Sequence, residues 1–386
     1  MKVGITCYPT YGGSGAVATE LGIGLAARGH EIHFISYAQP FRLSGFRERV
    51  YFHEVEMERY PLFEHPHYTL ALAAAIHDTV LRESLDLIHV HYAIPHATSA
   101  WIACAMLEEN GGPPLVTTLH GTDVTLVGLH PSFHPITRFS IMRSQGVTAV
   151  SSFLKEVTVR DFDVPRERIR VIPNFVDTKV FHRGRDPCHR DVFAPGGEKI
   201  VMHVSNFRPV KRVVDVIEVF AGIRREIPAR LVMAGDGPDR PRAAERARTL
   251  GVQEDVIFLG KHAAVEELLA CADLFLMTSD RESFGLAALE ALSCGVPVVG
   301  YRAGGLPEVV PDGEAGFLLP VGAVEEATAA GVEILGDPER WRRFSEAARG
   351  VAVERFGVGR VLPHYEAYYA EVIAGMNAGA GPRGGR

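Results

Sequence analysis

The chain has 386 residues, of which 47% are hydrophobic and 23% charged, and this balance excludes a disordered chain, a coiled coil and a collagen-like repeat. Its length exceeds what one ordinary hydrophobic core supports, so we expect two domains of similar size. Lys and Arg number 40 against 47 Asp and Glu, and the net charge of -7 disfavours bulk binding to nucleic acid or to an anionic membrane.

β-Branched runs alternate with helical patterns through the first half of the chain. The predicted strands cover residues 3–7, 32–36, 87–91, 115–120, 147–150 and 169–172, and the predicted helices cover 16–28, 69–84, 96–109 and 135–145. Such alternation is typical of a parallel sheet with helices on both faces. We therefore predict an α/β fold, with a Rossmann-like, acceptor-binding domain over residues 1–173.

Residues 174–198 are rich in Pro, Gly, Arg, His and Asp and are predicted to be a linker. The alternation then restarts, with strands at 200–205, 230–234, 256–259, 274–278 and 297–300 and helices at 213–227, 242–250, 265–272 and 284–294. It predicts a second, nucleotide-sugar-binding Rossmann-like domain over 199–362, a helix over about 363–376 that packs back on the first domain, and a flexible tail over 377–386. Because ligands gather at the carboxyl ends of parallel strands, we expect the active site in a cleft between two doubly wound domains.

The five cysteines are scattered, without a C-x-x-C pair, which favours free thiols in a cytoplasmic setting over a disulfide framework. The first residues predict a strand rather than a signal peptide. No uncharged apolar run reaches the roughly 20 residues that a membrane span needs, so we expect no stable membrane association.

A glycine-rich loop follows the first predicted strand and precedes a helix. Gly13, Ser14 and Gly15 in this loop suit a phosphate, because glycines allow close approach and a helix start offers free N–H groups. The spacing Gly13-x-Gly15-x-x-Ala18 also matches the dinucleotide fingerprint, which needs an acid near the end of the second strand. The second strand has Glu31 at its start instead, which disfavours the alternative of a nucleotide-binding oxidoreductase. A second alternative remains, in which the glycine turn only packs the helix on the strand.

Three cations follow the strand at 200–205, where a phosphate-bearing ligand would lie. Arg208, Lys211 and Arg212 can bind a diphosphate through charge-assisted hydrogen bonds. A solvated basic turn is the alternative, and it fits Arg212 better than Lys211.

Two glutamates flank the start of another predicted helix. Glu282 lies on the loop after the strand at 274–278, Ser283, Phe284 and Gly285 open the helix, and Glu290 lies two turns in. A carboxylate before an open helix N-terminus can accept hydrogen bonds from sugar hydroxyls, while Glu290 could reach a ribose. The alternative is an ordinary acid at a helix N-terminus followed by a surface glutamate.

This E-x7-E pattern around Ser-Phe-Gly resembles the donor motif of the retaining GT-B glycosyltransferases of family 4. The turn with Asn206, Arg208 and Lys211 is similar to the pyrophosphate-binding turn of that family, and the loop at 12–15 to its first glycine loop. The resemblance covers about residues 1–376, with every motif in family order. Many members have Arg in place of Asn206, so we expect Lys211, helped by Arg208, to bind the pyrophosphate.

The resemblance implies transfer of a sugar from a nucleotide donor with retention, a nucleoside diphosphate as leaving group, and its β-phosphate oxygen as the base for the acceptor. The implied catalytic residues are His120, Glu282 and Lys211. The implied donor-binding residues are Gly13, Ser14, Gly15, Asn206, Arg208, Lys211, Ser283, Phe284, Gly285 and Glu290.

No divalent metal or other cofactor is expected. The one D-x-D motif, Asp161-Phe162-Asp163, is predicted to lie in a loop between a helix and a strand. Cations and helix N-termini must then stabilise the leaving group. His89 and His91 share a strand face, but no third ligand has a suitable spacing for zinc.

Within the family, strings such as 29–34, 89–93 and 120–123 resemble the branch that transfers N-acetylglucosamine from UDP-N-acetylglucosamine to the hydroxyl of L-malate, the first step of bacillithiol synthesis. A small dicarboxylate needs cations and hydroxyl donors. We predict acceptor contacts from Tyr92, Thr122 and Arg138, with Arg143 as the alternative to Arg138. Another acceptor (a lipid, a sugar phosphate or a glycan), a non-catalytic sensor of nucleotide sugars, and a homodimer all stay open.

Overall fold

The computed structural model describes residues 1–10, 12–57, 67–107, 112–184 and 189–379. The chain divides into two units, one made of Met1–Pro173 and Val361–Arg386 and the other of Asn174–Arg360. Among the helices of these described ranges, none is both long enough and apolar enough to cross a membrane.

The first unit is built on a parallel sheet. Its strands are β1 (Lys2–Thr6), β2 (Glu31–Ser36), β3 (Val50–Glu54), β4 (Leu87–His91), β5 (Leu115–Leu119), β6 (Gly146–Ala149) and β7 (Ile169–Val171). Their order across the sheet is β3-β2-β1-β4-β5-β6-β7, so the direction of winding reverses between β1 and β4. β4 and β5 are buried along their whole length, as the central strands of a parallel sheet covered on both faces should be.

Helices cover both faces of this sheet. They are α1 (Gly13–Ala27), α2 (Tyr68–Glu83), α3 (Thr98–Met106), α4 (His134–Arg143) and α5 (Ser152–Phe162). Short helical turns, Ala93–Ala97 and Thr122–Leu126, follow β4 and β5 directly. Both turns therefore stand at the carboxyl ends of central strands, beside the point where the winding reverses.

The second unit repeats the plan with six parallel strands in the order β10-β9-β8-β11-β12-β13, and its winding reverses between β8 and β11. The strands are β8 (Lys199–Val204), β9 (Ala229–Ala234), β10 (Val256–Gly260), β11 (Leu274–Met277), β12 (Val298–Tyr301) and β13 (Gly316–Leu319). The helices are α6 (Arg190–Phe193), α7 (Val213–Glu226), α8 (Arg240–Thr249), α9 (Val265–Leu269), α10 (Leu286–Ser293), α11 (Leu306–Val309), α12 (Val324–Leu335) and α13 (Pro338–Phe356).

Seven of these elements are absent from the expectation based on local patterns, namely β3, β13, α5, α6, α11, α12 and α13. β3 is an edge strand with three partly exposed and two exposed residues, so it lacks the apolar run that marks a buried strand. The predicted loop at Asp161-Phe162-Asp163 is wrong for its first two residues, which end α5, and Asp163 follows in a left-handed conformation. Phe162 is fully buried and anchors this helix end, which the short motif by itself could not reveal.

The last helix, α14 (Val358–Gly379), begins in the second unit and continues through the first. In the first unit, the Tyr368 hydroxyl accepts from Val147 N at 2.8 Å, and Arg28 donates to the Glu366 carboxylate at 2.8 Å. In the second unit, Arg190 of the expected linker segment forms an ion pair with Asp273 at 2.8 Å. Residues 185–188 of that segment and 380–386 of the expected tail lie outside the described residues.

Candidate functional site

Aromatic rings from three neighbouring strands meet at the carboxyl edge of the first sheet. Tyr8 follows β1, Tyr92 follows β4 and His120 follows β5. Ring centroids lie 5.5 Å apart between Tyr8 and Tyr92 and 5.4 Å apart between Tyr92 and His120. The structure thus brings the predicted His120 and Tyr92 together at the reversal point of the sheet, where α/β folds bind ligands.

His120 is held by a second histidine that the motif analysis did not assign to the site. His120 Nε2 lies 2.7 Å from Nδ1 of His91, which is fully buried. Burial lowers the pKa of His120 to about 3 and that of His91 well below its usual value, so both rings are neutral near pH 7. The alternating His-x-His of β4, placed one strand from His120, was the signal for this contact.

The proton positions follow from one unpaired nitrogen. Among the described residues, His91 Nε2 is buried without a hydrogen-bond partner. A buried nitrogen is less costly unpaired as a lone pair than as an N–H, so the proton of His91 belongs on Nδ1. His91 then donates to His120 Nε2, and the proton of His120 sits on Nδ1. His120 therefore presents an N–H donor to a ligand.

Asp123 ties the two turns at this edge together. Its carboxylate accepts from the backbone N–H of Ala93 at 2.9 Å and of Gly121 at 3.0 Å. Burial raises the pKa of Asp123 to about 6, although these backbone hydrogen bonds act in the opposite direction. Thr122, a predicted acceptor contact, is exposed next to this buried anchor.

The glycine loop lies beside the same edge. Gly13 is the first residue of α1, Ser14 is half-buried, and a Cβ on Gly15 would stand only 2.6 Å from Tyr8 O. Gly15 is therefore required for the close approach of α1 to the end of β1. The first turn of α1 contains no acid, so its N–H groups face no competing carboxylate of their own turn.

The two arginines considered for the acceptor have other partners in the structure. Arg138 donates to Phe162 O at 2.9 Å and to Asp163 O at 3.3 Å, at the end of α5. Arg143 lies over the Phe139 ring at 5.2 Å, immediately before β6 and thus at the amino edge of the sheet. An acceptor role for Arg138 stays a prediction, and the position of Arg143 does not favour it as the alternative.

An ion pair between Lys211 and Glu282 joins two loops of the second unit that follow neighbouring strands. Lys211 follows β8, Glu282 follows β11, and Lys211 Nζ lies 2.5 Å from Glu282 Oε1. Their side chains are 19% and 10% exposed, so each charge is largely removed from water and depends on the other. The Thr278 hydroxyl holds the lysine loop by donating to Lys211 O at 3.1 Å. Asn206 and Arg208 are exposed on the same loop.

Glycines of neighbouring loops make room for both halves of this pair. A Cβ on Gly235 would stand 1.7 Å from Ser205 O, and one on Gly237 would stand 2.0 Å from Asn206 O. A Cβ on Gly304 would stand 1.9 Å from Glu282 O, which accepts from Gly305 N at 2.8 Å. The glycines at 235 and 237, which the sequence identifies only as a turn, thus pack closely against the loop that carries Asn206, Arg208 and Lys211.

The remaining residues predicted to bind the donor surround the start of α10. Gly285 precedes the helix with φ 105°, and Ser283 is half-buried beside Glu282. Phe284 is buried, 5.6 Å from the Phe356 ring. Because the φ of Gly285 is not helical, α10 begins at Leu286, two residues later than expected. Glu290 is only 5% exposed, which contradicts the alternative that it is a surface residue.

The zinc alternative for β4 does not fit the contacts of its histidines. His89 Nε2 lies 2.7 Å from Thr118 Oγ1, and His89 Nδ1 lies 2.7 Å from the Tyr369 hydroxyl. Both nitrogens of this ring are therefore used in hydrogen bonds within the core.

Two family models match consecutive parts of the chain. Residues 11–180 match the model described as Glycosyltransferase Family 4, and residues 185–351 match Glycosyl transferases group 1. The chain is 45% identical over 374 residues to N-acetyl-alpha-D-glucosaminyl L-malate synthase of Bacillus anthracis, with 97% of each chain covered. It is 27% identical to 2-deoxystreptamine N-acetyl-D-glucosaminyltransferase of Streptomyces fradiae, over 77% of this chain and 73% of that relative.

Solved structures share the fold. Anabaena HepE in complex with UDP and glucose matches with a TM-score of 0.80 and 21% identity, over 96% of this chain and 99% of that one. Sucrose-phosphate synthase from Thermosynechococcus elongatus matches with a TM-score of 0.77 and 20% identity, over 97% and 99%. These matches confirm the predicted GT-B class with two Rossmann-like units.

Proposed function

The chain belongs to the family-4 glycosyltransferases, and on this basis we propose that it transfers N-acetylglucosamine from UDP-N-acetylglucosamine to the hydroxyl of L-malate, with retention at the anomeric carbon. The observation that carries the proposal is the 45% identity, over 97% of both chains, to a relative named for this product. The product would be the first intermediate of bacillithiol synthesis.

The departing UDP requires positive charge, because its oxygen becomes negative as the glycosidic bond breaks. We assign this role to Lys211, with Arg208 and Asn206 on the same exposed loop. Before the donor binds, Glu282 neutralises Lys211. The pyrophosphate then replaces Glu282 as the partner of the lysine, and the freed carboxylate can accept hydrogen bonds from the donor sugar.

Other groups orient the donor. Ser283 and Gly285 stand where the N–H groups at the start of α10 can bind phosphate, Phe284 anchors that loop in the core, and the buried Glu290 is assigned to the ribose. The N–H of His120 Nδ1 donates to the donor sugar. A neutral imidazole suits this role, since it keeps its N–H proton through turnover.

The acceptor is assigned to the carboxyl edge of the first sheet. Tyr92 and Thr122 offer hydroxyls there, and Arg138 would have to leave its helix-end carbonyls to reach a carboxylate. Gly13, Ser14 and Gly15 are assigned to the donor phosphates through the N–H groups at the start of α1. The acceptor proton passes to the β-phosphate oxygen of the leaving group, on the face from which UDP departs.

We propose that no divalent metal takes part in this transfer, because Lys211 and helix N–H groups supply the charge that a metal would otherwise provide. Transfer should therefore continue at an unchanged initial rate in EDTA. We also propose a cytoplasmic location, since the four described cysteines are all free thiols.

The decisive test combines donor and acceptor panels. The purified chain is mixed with UDP-N-acetylglucosamine and L-malate, other hydroxy acids, sugar phosphates or lipid acceptors, and both UDP release and product mass are measured. Malate-dependent UDP release with the mass of the glucosaminyl malate is expected. Product with another acceptor alone would support that alternative, and donor binding without any turnover would support a sensor.

A further inference from the structure

We propose that His33, His53 and Glu83 form a binding site for a zinc-like transition-metal ion, separate from the sugar-transfer residues. One ligand atom from each residue lies within 4.8 Å of the other two. The three residues come from β2, β3 and the last position of α2, so an ion bound there would join three elements of the first unit.

Strand register places the two imidazoles side by side. β2 and β3 pair in parallel with His33 opposite Tyr51 and Ile35 opposite His53, so both histidines point to the same face of the sheet. His33 Nδ1 lies 2.9 Å from His53 Nε2. The helix α2 packs on this face through a core that includes Ile35, and thereby brings Glu83 to the histidines.

Glu31 prepares His33 as a ligand. His33 Nε2 lies 3.1 Å from Glu31 Oε1, and a carboxylate can only accept there, so the proton of neutral His33 belongs on Nε2. Its Nδ1 is then a lone pair directed at His53. A carboxylate on the outer nitrogen of a ligand histidine is the usual supporting contact of metal sites, because it sets the tautomer and ring orientation.

The spacing suits a cation after a small adjustment. Two nitrogens bound at about 2.0–2.1 Å with tetrahedral angles lie about 3.3 Å apart, so the rings would separate by about 0.4 Å. Without metal, His53 Nε2–H donates to His33 Nδ1. With metal, His53 carries its proton on Nδ1 instead, and both lone pairs converge on the ion. Stacking on the Tyr51 ring, at 4.9 Å, holds His33 in place.

Carboxylates and cations balance around the site, so the attraction for a dication must come from the ligand atoms themselves. Glu83 contributes a negative charge at the C-terminal end of α2, where the helix dipole also favours cations. Two cations oppose an ion here. Lys2 is paired with Glu31 at 3.2 Å and also donates to Glu83 O at 3.0 Å. Arg82 precedes Glu83 in the last turn of α2 and acts on His53. Two histidines and one carboxylate are a ligand set typical of Zn²⁺, Co²⁺ or Ni²⁺, with one coordination position left open.

The site is remote from the proposed chemistry. His120 directly follows β5. In the sheet, β2 lies three strands and β3 four strands away from β5, which corresponds to distances of about 14 and 19 Å. A bound ion would stabilise the edge strand β3 against α2 without contacting the donor or acceptor, so this proposal does not depend on the proposed function.

The test uses the full chain, stripped with EDTA and dialysed against Zn²⁺, with Co²⁺ as a spectroscopic probe. We expect one ion per chain, the visible absorption of four-coordinate Co²⁺, and a Zn²⁺-dependent rise in the unfolding temperature of about 5 to 10 °C at a hundredfold excess over the dissociation constant. His53→Gln and Glu83→Gln should abolish all three signals, and Glu31→Gln should weaken binding by about 10- to 100-fold.

His77→Ala is the matched control, because His77 also lies on α2 and pairs instead with Asp78 at 2.9 Å. It should bind metal as the unchanged chain does. Absence of Co²⁺ binding to the unchanged chain, or equal binding by the correctly folded His53→Gln variant, would overturn the proposal. If that variant does not fold, the metal affinity of Glu31→Gln decides the question. An unchanged affinity in Glu31→Gln would exclude a metal site in which Glu31 orients His33.

Discussion

Lys211 and Glu282 form a largely buried ion pair between the loops that follow β8 and β11, where we propose that a diphosphate binds. Such a pair stabilises the empty site, because a buried charge without a partner costs more than a paired one. In the proposed function, donor binding exchanges the partner of Lys211, so the two residues should affect different steps when they are changed.

Lys211→Met removes the cation that we propose to contact the pyrophosphate. We expect the affinity for UDP to fall by about 10- to 100-fold, the value of one charge-assisted hydrogen bond, as measured by isothermal titration calorimetry. Lys261→Met, at an exposed lysine after the edge strand β10, is the matched control and should bind UDP normally. Unchanged UDP affinity of the Lys211 variant would remove this residue from the site.

Glu282→Gln separates sugar contact from nucleotide binding. The variant should bind UDP as tightly as the unchanged chain or more tightly, because its lysine is no longer paired, while the rate of transfer falls by about 100-fold. Asp280→Asn, two residues away and exposed, should affect neither quantity. A parallel loss of UDP affinity and turnover in Glu282→Gln would contradict the proposed donor-sugar role.

Strands β4 and β5, with the turns that follow them, concentrate neutral histidines in the core of the first unit. Burial lowers the pKa of His89 to about 3, of His96 to about 4 and of His120 to about 3. Between the ordinary histidine pKa of about 6.5 and these lowered pKa values, the three histidines are protonated in the unfolded chain and neutral in the folded chain. Asp123, whose pKa is raised to about 6, acts in the opposite sense and offsets about one histidine.

We therefore expect the free energy of unfolding to be level above about pH 7 and to fall as the pH drops below 6.5, by up to about 1.4 kcal/mol per pH unit for each such histidine. Urea unfolding at a series of pH values measures this slope. His96→Gln should reduce the slope, whereas the control His364→Gln, at an exposed position, should leave it unchanged. Stability that rises on acidification would contradict the buried neutral cluster.

The loop before α11 supports Glu282 through a glycine. Gly304→Ala, at φ 56°, would place a Cβ 1.9 Å from Glu282 O and displace that loop. We expect turnover to fall by about 100-fold, since a shift of about 1 Å at a catalytic group can cost that much. Gly313→Ala, at φ 80° with no described atom within 4 Å of the added Cβ, is the control. It should cost about 1–2 kcal/mol of stability by backbone strain and leave turnover nearly intact.

At the scale of the whole molecule, the chain returns to its first unit through α14. Tyr365 and Tyr369 of this helix are fully buried, and the Tyr369 hydroxyl contacts His89 Nδ1 at 2.7 Å. The first unit is therefore completed by residues more than 180 positions after the rest of it, which ties its stability to the far end of the chain.

Truncation after Arg360 tests this dependence. Loss of the two tyrosines alone should cost about 6 to 10 kcal/mol, comparable with the whole stability of an ordinary domain. The truncated chain should therefore lose the thermal unfolding transition of its first unit. A chain that ends at Gly379 is the control and should melt as the full chain does. Retention of both transitions after truncation at Arg360 would show that α14 is dispensable.

Local sequence determined much of this protein. Hydrophobic periodicity predicted two α/β units, because period-2 and period-3.6 patterns are properties of short segments. Glycines and polar residues that follow strands also identified the loops that carry Gly15, Lys211 and Glu282, because a parallel sheet gathers such loops at one edge. The domain boundaries drawn from these patterns remain predictions, as do the roles of the site residues.

Only the tertiary structure decided which of these residues meet. Lys211 and Glu282 are 71 positions apart, and neither motif specifies that they form an ion pair. The same holds for the contact of His91 with His120 and for the burial of Glu290, which looked equally suited to a surface. Such contacts depend on strand order and on packing between distant segments, and a local pattern carries no information about either.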